Sequence, residues 1–373
     1  MKFWKPGILV FLVVIFTSCF PTTVSVGPDG TVGLVREEGA YLLQLAESKA
    51  TLVKKSEEGK PVRWLQISPD GKRLLYVVSE DLYASDVSGS DEKLLYHCPA
   101  SLVYARWSPD SRRIALLEME PMGATTPEKG EEQGENLSQL ALLDPAAPEP
   151  KVVAKKIASL FCWLPDGKAL MAFQAKKKDP KSGLRLGSIV IIETSTGKTA
   201  PLADVSAQDV SLDITPGATG LFFTSRSAAL PGGKLPPAST TSSDSLFSLA
   251  LKETKNPLRN MGNCDLVVVS PKGEHLLVVR PTGTGGDKQL AVLDRDGKEG
   301  AVISEKVAFS SSEMGGGKIL PVWLDAERIL FFKYQVTVGP DGKALDVFTA
   351  KFDGSEVKNM RLPIEMAVRK PAP

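Results

Sequence analysis

Histidine is nearly missing from this 373-residue chain, which has only His97 and His275. Neither has a partner at metal-ligand spacing, and no His-x-x-x-His or Cys-x-x-Cys occurs. No Gly-x-Ser-x-Gly elbow is present, and Gly315-Gly316-Gly317-Lys318 lacks the Ser or Thr of a phosphate loop. The residues therefore single out no catalytic group, no metal site and no cofactor. An excess of either charge is missing too. The 45 Lys and Arg against 44 Asp and Glu give +1, which removes global electrostatic capture of nucleic acid. The composition, 42% hydrophobic and 24% charged, excludes a disordered chain, a collagen-like repeat and a multi-span membrane protein.

Cysteine is scarce, with four residues, and a chain this long buries about three quarters of its unfolded surface without disulfides. Cys98, Cys162 and Cys264 follow no metal spacing, and Cys162 and Cys264 sit in strand-like apolar runs. Buried free thiols are expected. One oxidised pair with one free thiol is the alternative in an oxidising compartment.

Cys19 stands apart. Lys2 and Lys5 precede an apolar run, Gly7 to Phe16, too short for a membrane-spanning helix. Thr17-Ser18-Cys19 follows it, and the whole resembles a bacterial lipoprotein signal. That resemblance implies a signal peptide over residues 1–18 and lipidation of Cys19. Cleavage elsewhere or an uncleaved anchor is the alternative. Loss of residues 1–18 removes two Lys and leaves 43 basic to 44 acidic residues, or −1.

What the chain has in abundance is self-similarity. WLQISPDGKRLLYVV from Trp64 recurs as ARWSPDSRRIALLEM from Ala105, FCWLPDGKALMAF from Phe161 and LDITPGATGLFFTS from Leu212. VVVSPKGEHLLVV from Val267, PVWLDAERILFFKY from Pro321 and a weaker VSVGPDGTVGLVRE from Val24 complete the set. The turn prolines are Pro28, Pro69, Pro109, Pro165, Pro216 and Pro271, with Asp325 in the seventh slot. Each copy is an apolar strand, a Pro-Asp-Gly-type turn and a second apolar strand. A second strand–turn–strand follows, as in LYASDVSGSDEKLLY from Leu82. Four short strands every 40 to 56 residues predict an all-β protein, a β-propeller of four-stranded antiparallel blades. Seven blades are expected, over 24–58, 61–98, 101–155, 158–203, 206–258, 264–304 and 307–363. Ala40 to Lys55 also has helix-favouring composition, and as a helix it would leave six. The organisation expected is a signal over 1–18, a propeller over 19–363 and a tail over 364–373.

The W-x-P-D-G turn, with its flanking strands and second polar turn, resembles the TolB-like, or WD-like, propeller repeat of bacterial envelope proteins. Taken with the lipoprotein-like start, the resemblance implies a periplasmic, lipid-anchored protein, with the outer membrane as its address, that binds a protein or cell-wall component. The separate N-terminal α/β domain of TolB has no counterpart here.

Extra length collects between the second and third strands, which places it at one end of the propeller. Blade 3 carries Pro121 to Asn136, blade 4 Ala175 to Gly187, blade 5 Ser227 to Asp244 and blade 6 Pro281 to Lys288. Per-repeat insertions on one face commonly form a binding face. Glu128, Glu131 and Glu132 make one insertion acidic, and Lys176, Lys177 and Lys178 make the next basic. The expected function is a non-enzymatic binding scaffold working through these loops. The alternative is a carbohydrate-active enzyme, a lyase or glycosidase, with acidic residues at the central channel.

Overall fold

The computed structural model describes residues 24–36, 38–47, 49–99, 101–119, 138–237, 243–252, 257–283, 286–309, 320–334 and 345–360. Cys19, Glu128, Glu131, Glu132 and the 364–373 tail lie outside them. The described chain is a β-propeller. Five sheets have four antiparallel strands each, and a sixth has eight. The eight-stranded sheet holds two units joined by one long strand, Ala147–Trp163. That strand pairs with Ser138–Asp144 over its first half and with Ala169–Lys178 over its second. Ile157 faces a partner on both sides, and Lys156 beside it takes φ +60°.

The strands thus form seven four-strand units. Their packing closes into a ring, because one apolar cluster lies at each of seven junctions. The closing junction sets Val32, Leu34 and Leu43 of unit 1 against Leu324, Leu330 and Phe332 of unit 7. Among the described residues no strand is shared between these two units, so side-chain burial alone makes that seam. The middle strands are buried at nearly every residue, as in Ile114–Met119 and Gly220–Ser225, so each supplies both faces of its unit at once.

The repeated turn explains the local geometry. Proline presets the second turn position, and the fourth position takes positive φ. Glycine occupies it at Gly30, Gly71, Gly167 and Gly273, while Ser111 and Ala218 accept φ of 58° and 49°. Ser111 gains a contact that glycine cannot make, since its Oγ accepts the Asp70 N–H of the preceding unit at 3.0 Å. Arg73 donates to the Ser111 carbonyl and lies 4.3 Å over the Trp107 ring. Arg113 repeats the pattern, 2.7 Å from the Gly167 carbonyl and 5.6 Å over Trp163. Each arginine therefore joins its own unit to the next one.

Residues 40–55 are a blade edge: strands Gly39–Gln44 and Lys49–Lys55 flank a short 3-10 turn, Leu45–Glu47. Two expected boundaries move. The outer strand of unit 4 runs to Ala207, and that of unit 5 spans Leu258–Asn263. In both cases the pairing partner continues and carries the strand with it.

Candidate functional site

Three residues before each turn, the innermost strands place one side chain on the central channel: Ser25, Gln66, Arg106, Cys162, Asp213, Val268 and Val322. All except Cys162 are half-buried, while most of their strand neighbours are buried, which marks this layer as the channel wall. An inner strand has an unpaired edge, and this layer covers it. The Ile67 N–H donates to Ser25 Oγ at 2.9 Å, the Trp107 N–H to Gln66 Oε1 at 3.0 Å, and the Val269 N–H to Asp213 Oδ2 at 2.8 Å. At two other junctions an indole N–H does the work. Trp163 donates to the Arg106 carbonyl at 3.3 Å, and Trp323 to the Val268 carbonyl at 3.1 Å.

Arg106 and Asp213 bring opposite charges to this layer, two units apart. Asp213 also accepts the Ile214 N–H at 2.9 Å, so each carboxylate oxygen holds one backbone donor. Burial nevertheless raises its pKa above the ordinary 3.8, against the backbone donors and the field of Arg106. Arg106 keeps its charge despite burial, helped by Tyr104, Asp213 and Cys162. Among the described residues none accepts a hydrogen bond from its guanidinium. Tyr104 stands edge-on to Trp64 and Phe161, at 5.7 and 5.5 Å, and forms an aromatic wall beside it.

A raised acid pKa means that the folded state holds the proton more tightly than the unfolded chain does. Stability therefore falls as pH rises from the unfolded value, near 3.8, through the folded one, and is flat above it. Asp213→Asn is expected to flatten that part of the curve. Urea titrations of both proteins across mildly acidic pH measure it, and parallel curves would contradict the assignment.

The loop-bearing end differs from the sequence expectation in two places. Lys176, Lys177 and Lys178 are strand residues, because Ala169–Lys178 and Arg185–Glu193 pair out to Lys178 opposite Arg185. Only residues 179–184 turn, held by the Asp179 carboxylate on the Lys181 and Ser182 N–H groups and the Ser182 hydroxyl. What reads as a loop is the projecting end of a hairpin. The insertion of unit 5 opens with strand Ser227–Ala229, which pairs with the outer strand of unit 4. Asp204 then accepts the Gly232 N–H at 2.9 Å. Residues 227–232 are thus a strap across two units, covering an edge that would otherwise be open.

Paired charges surround these elements. Arg226 meets Asp244 at 2.7 Å, Lys288 meets Asp265 at 2.6 Å, Lys306 meets Asp287 at 2.7 Å, and Lys176 lies 3.6 Å from Asp204. Burial raises the Asp244 pKa, and the Arg226 charge opposes that rise. The three described cysteines are buried and form no disulfide among the described residues. Burial pushes the Cys264 thiol up to about 12, and Cys162 shifts in the same direction. His97 pairs with Asp81 at 2.5 Å, and His275, just after the Pro271 turn, stacks on Phe352 at 4.6 Å. Away from the channel, a cavity of about 220 Å³ sits between units 5 and 6, lined by Met261, Cys264, Arg280 and Glu299 among others. No group of three or more His, Cys, Asp or Glu suited to a metal ion occurs among the described residues, and none of their helices is long and apolar enough to cross a membrane.

Neither a sequence-family model nor a curated protein sequence matches this chain. Solved structures do. An oligogalacturonate lyase in complex with manganese superposes with a TM-score of 0.62 at 16% identity, covering 88% of this chain and 89% of that one. The propeller domain of Cps50 (Swd1) from Myceliophteria thermophila gives 0.51 at 13% identity, covering 84% and 93%. TolB from Acinetobacter baumannii gives 0.49 at 14% identity, covering 89% and 77%. At these identities the likeness is one of fold.

Proposed function

We propose that the chain is a lipid-anchored binding scaffold of the bacterial envelope, attached through Cys19 and working through the loop-bearing end of its propeller. The observation that carries this reading is the preformed surface of unit 4 at that end. The hairpin of Lys176–Lys178 is paired almost to its tip, and the strap from unit 5 braces the same unit. A surface already ordered loses little conformational entropy when it meets a partner. Residues 175–187 carry five basic side chains against one acidic, so the partner it suits is acidic.

Metabolic labelling with a fatty-acid precursor tests the anchor. Label is expected in the wild type and absent from Cys19→Ala, and an unlabelled wild type would sink it. Replacing residues 176–185 by a two-residue turn tests the face. Recovery of co-purifying material is expected to fall about tenfold, while undiminished recovery would place the binding surface elsewhere.

The channel favours a second reading. Arg106, whose guanidinium finds no hydrogen-bond acceptor among the described residues, stands beside an aromatic wall and suits an acidic sugar, and the fold likeness extends to an oligogalacturonate lyase. Release of unsaturated ends from polygalacturonate, abolished by Arg106→Gln, would support it. No release by the wild type, under conditions where a known lyase acts, would reject it for that substrate.

A further inference from the structure

The path of the first strand fixes how an anchored propeller must stand. Strand Val24–Val26 is the innermost of unit 1 and runs into the Pro28 turn, so the chain enters it from the loop-bearing end. Val24 lies four residues before its turn proline, whereas Val62 and Leu102, where the equivalent strands begin, lie seven before theirs. Val24 therefore lies about 10 Å inside that end. Four residues separate Cys19 from Val24, so five steps of the chain give a reach of at most about 17 Å fully extended. A lipid on Cys19 can stand no more than roughly 7 Å beyond the loop-bearing end.

From this we infer that the loop-bearing end is a membrane-facing surface, and that the basic hairpin of unit 4 rests on anionic phospholipid. The inference rests on the anchor proposed above and names the envelope component that the face meets. The charge of the hairpin agrees with it. Lys155, Lys177, Lys178 and Lys181 are exposed and form no ion pair among the described residues. Lys155 belongs with the hairpin, since Gln174 donates to its carbonyl at 3.0 Å. Among the described residues, five acidic groups at this end are paired: Glu80 with Arg63, Asp204 with Lys176, Asp244 with Arg226, Asp265 with Lys288 and Asp287 with Lys306. A juxtamembrane cluster of lysines is held by the negative surface potential of anionic lipid and released by salt. The Pro-Asp-Gly turns at the opposite end then face away from the bilayer.

The test uses the full chain, purified from membranes and reconstituted into phosphatidylcholine vesicles with or without phosphatidylglycerol. The native thiols are buried, so a dye goes onto Lys155→Cys at one end or Lys272→Cys at the other. Energy transfer to a lipid-borne acceptor is expected to be about twofold higher from position 155, given strands of roughly 20 Å between the ends. Phosphatidylglycerol should increase it, and K177E/K178E/K181E or high salt should remove that increase. Equal transfer from both ends in a protein whose Cys19 is acylated by mass spectrometry would overturn the orientation. If Cys19 proves unacylated, the anchor fails by itself, and vesicle co-sedimentation then judges the face. A loss of about 100-fold in phosphatidylglycerol binding on the triple reversal supports it, and no loss rejects it. Retained binding to the same protein partners with no lipid preference would assign the face to a protein instead.

Discussion

Trp107→Ala is expected to lower stability by about 4 kcal/mol, the largest loss from truncating any one side chain of the repeat. Trp107 is 1% exposed and sits in the cluster that joins units 2 and 3, with Trp64, Leu75, Leu102, Ile114 and Leu143. Its ring also carries the Arg73 guanidinium, whose other contact is the carbonyl of the next turn. Alanine removes the ring from the junction and the platform from the arginine together. A cavity at that seam cannot collapse readily, because hydrogen-bonded sheets hold both of its walls. Trp107→Phe is a useful contrast. The indole N–H of Trp107 is buried without an acceptor among the described residues, unlike those of Trp163 and Trp323, so phenylalanine keeps most of the packing and loses none of the described hydrogen bonds. A loss of about 1 kcal/mol is expected for it. Urea unfolding of wild type, both variants, Arg73→Ala and the double variant Arg73→Ala/Trp107→Ala measures all of this. The cycle should return a coupling of about 1 kcal/mol for the stacked pair. A Trp107→Ala loss below about 2 kcal/mol would show that the junction relaxes instead of holding a void.

The propeller was legible because its information is local. A Pro-Asp-Gly turn is specified by its own three residues, and short apolar runs bounded by such turns read as buried strands from their own sequence. Once the turns are aligned, the channel layer lies three positions before each of them. The signal was there to be seen: Ser25, Gln66, Arg106 and Asp213 are polar where neighbouring columns are apolar. It needed alignment of the copies on the turn, since a single polar residue within one strand says nothing about a channel.

The hairpin of unit 4 was not legible, and its physics says why. A run of three lysines followed by Asp and Pro has the composition of a solvated loop. It is strand because Arg185 and Leu186 opposite already pair with Ala207 and Ser206 on their other side. Pairing with a strand distant in sequence overrides local preference. The strap Ser227–Ala229 is hidden for the same reason, as its partner lies in another unit. Unit 1 shows the converse: Ala40 to Lys55 has helix-formers throughout, yet sheet pairing leaves helical geometry only the three residues Leu45–Glu47.

That hairpin hangs on Gly187, and Gly187→Ala is expected to cost about 3 kcal/mol and to displace the lysines. The register between its strands shifts between Ala175 and Lys177, where one strand carries an extra residue. Gly187 stands opposite Ala175 at this bulge. A Cβ there would meet the Gln174 carbonyl oxygen at 2.1 Å, the Phe173 ring at 2.8 Å and the Ala175 Cα at 2.9 Å. Two of the three are backbone atoms and cannot swing aside as a side chain tip can. The third belongs to a fully buried ring in the cluster between units 4 and 5. Relief therefore requires the strands to part at the base of the projection, which breaks the pairs out to Lys178 and Arg185. Amide exchange should show the effect in its order: protection lost first over 176–186, with the pairs from Ala169 to Phe173 less affected. Vesicle association should weaken with it, although every lysine remains in the sequence. Full protection over 176–186 in Gly187→Ala would mean that the bulge absorbs the methyl group. Lost protection with undiminished vesicle association would separate the lysines' charge from the geometry that presents it.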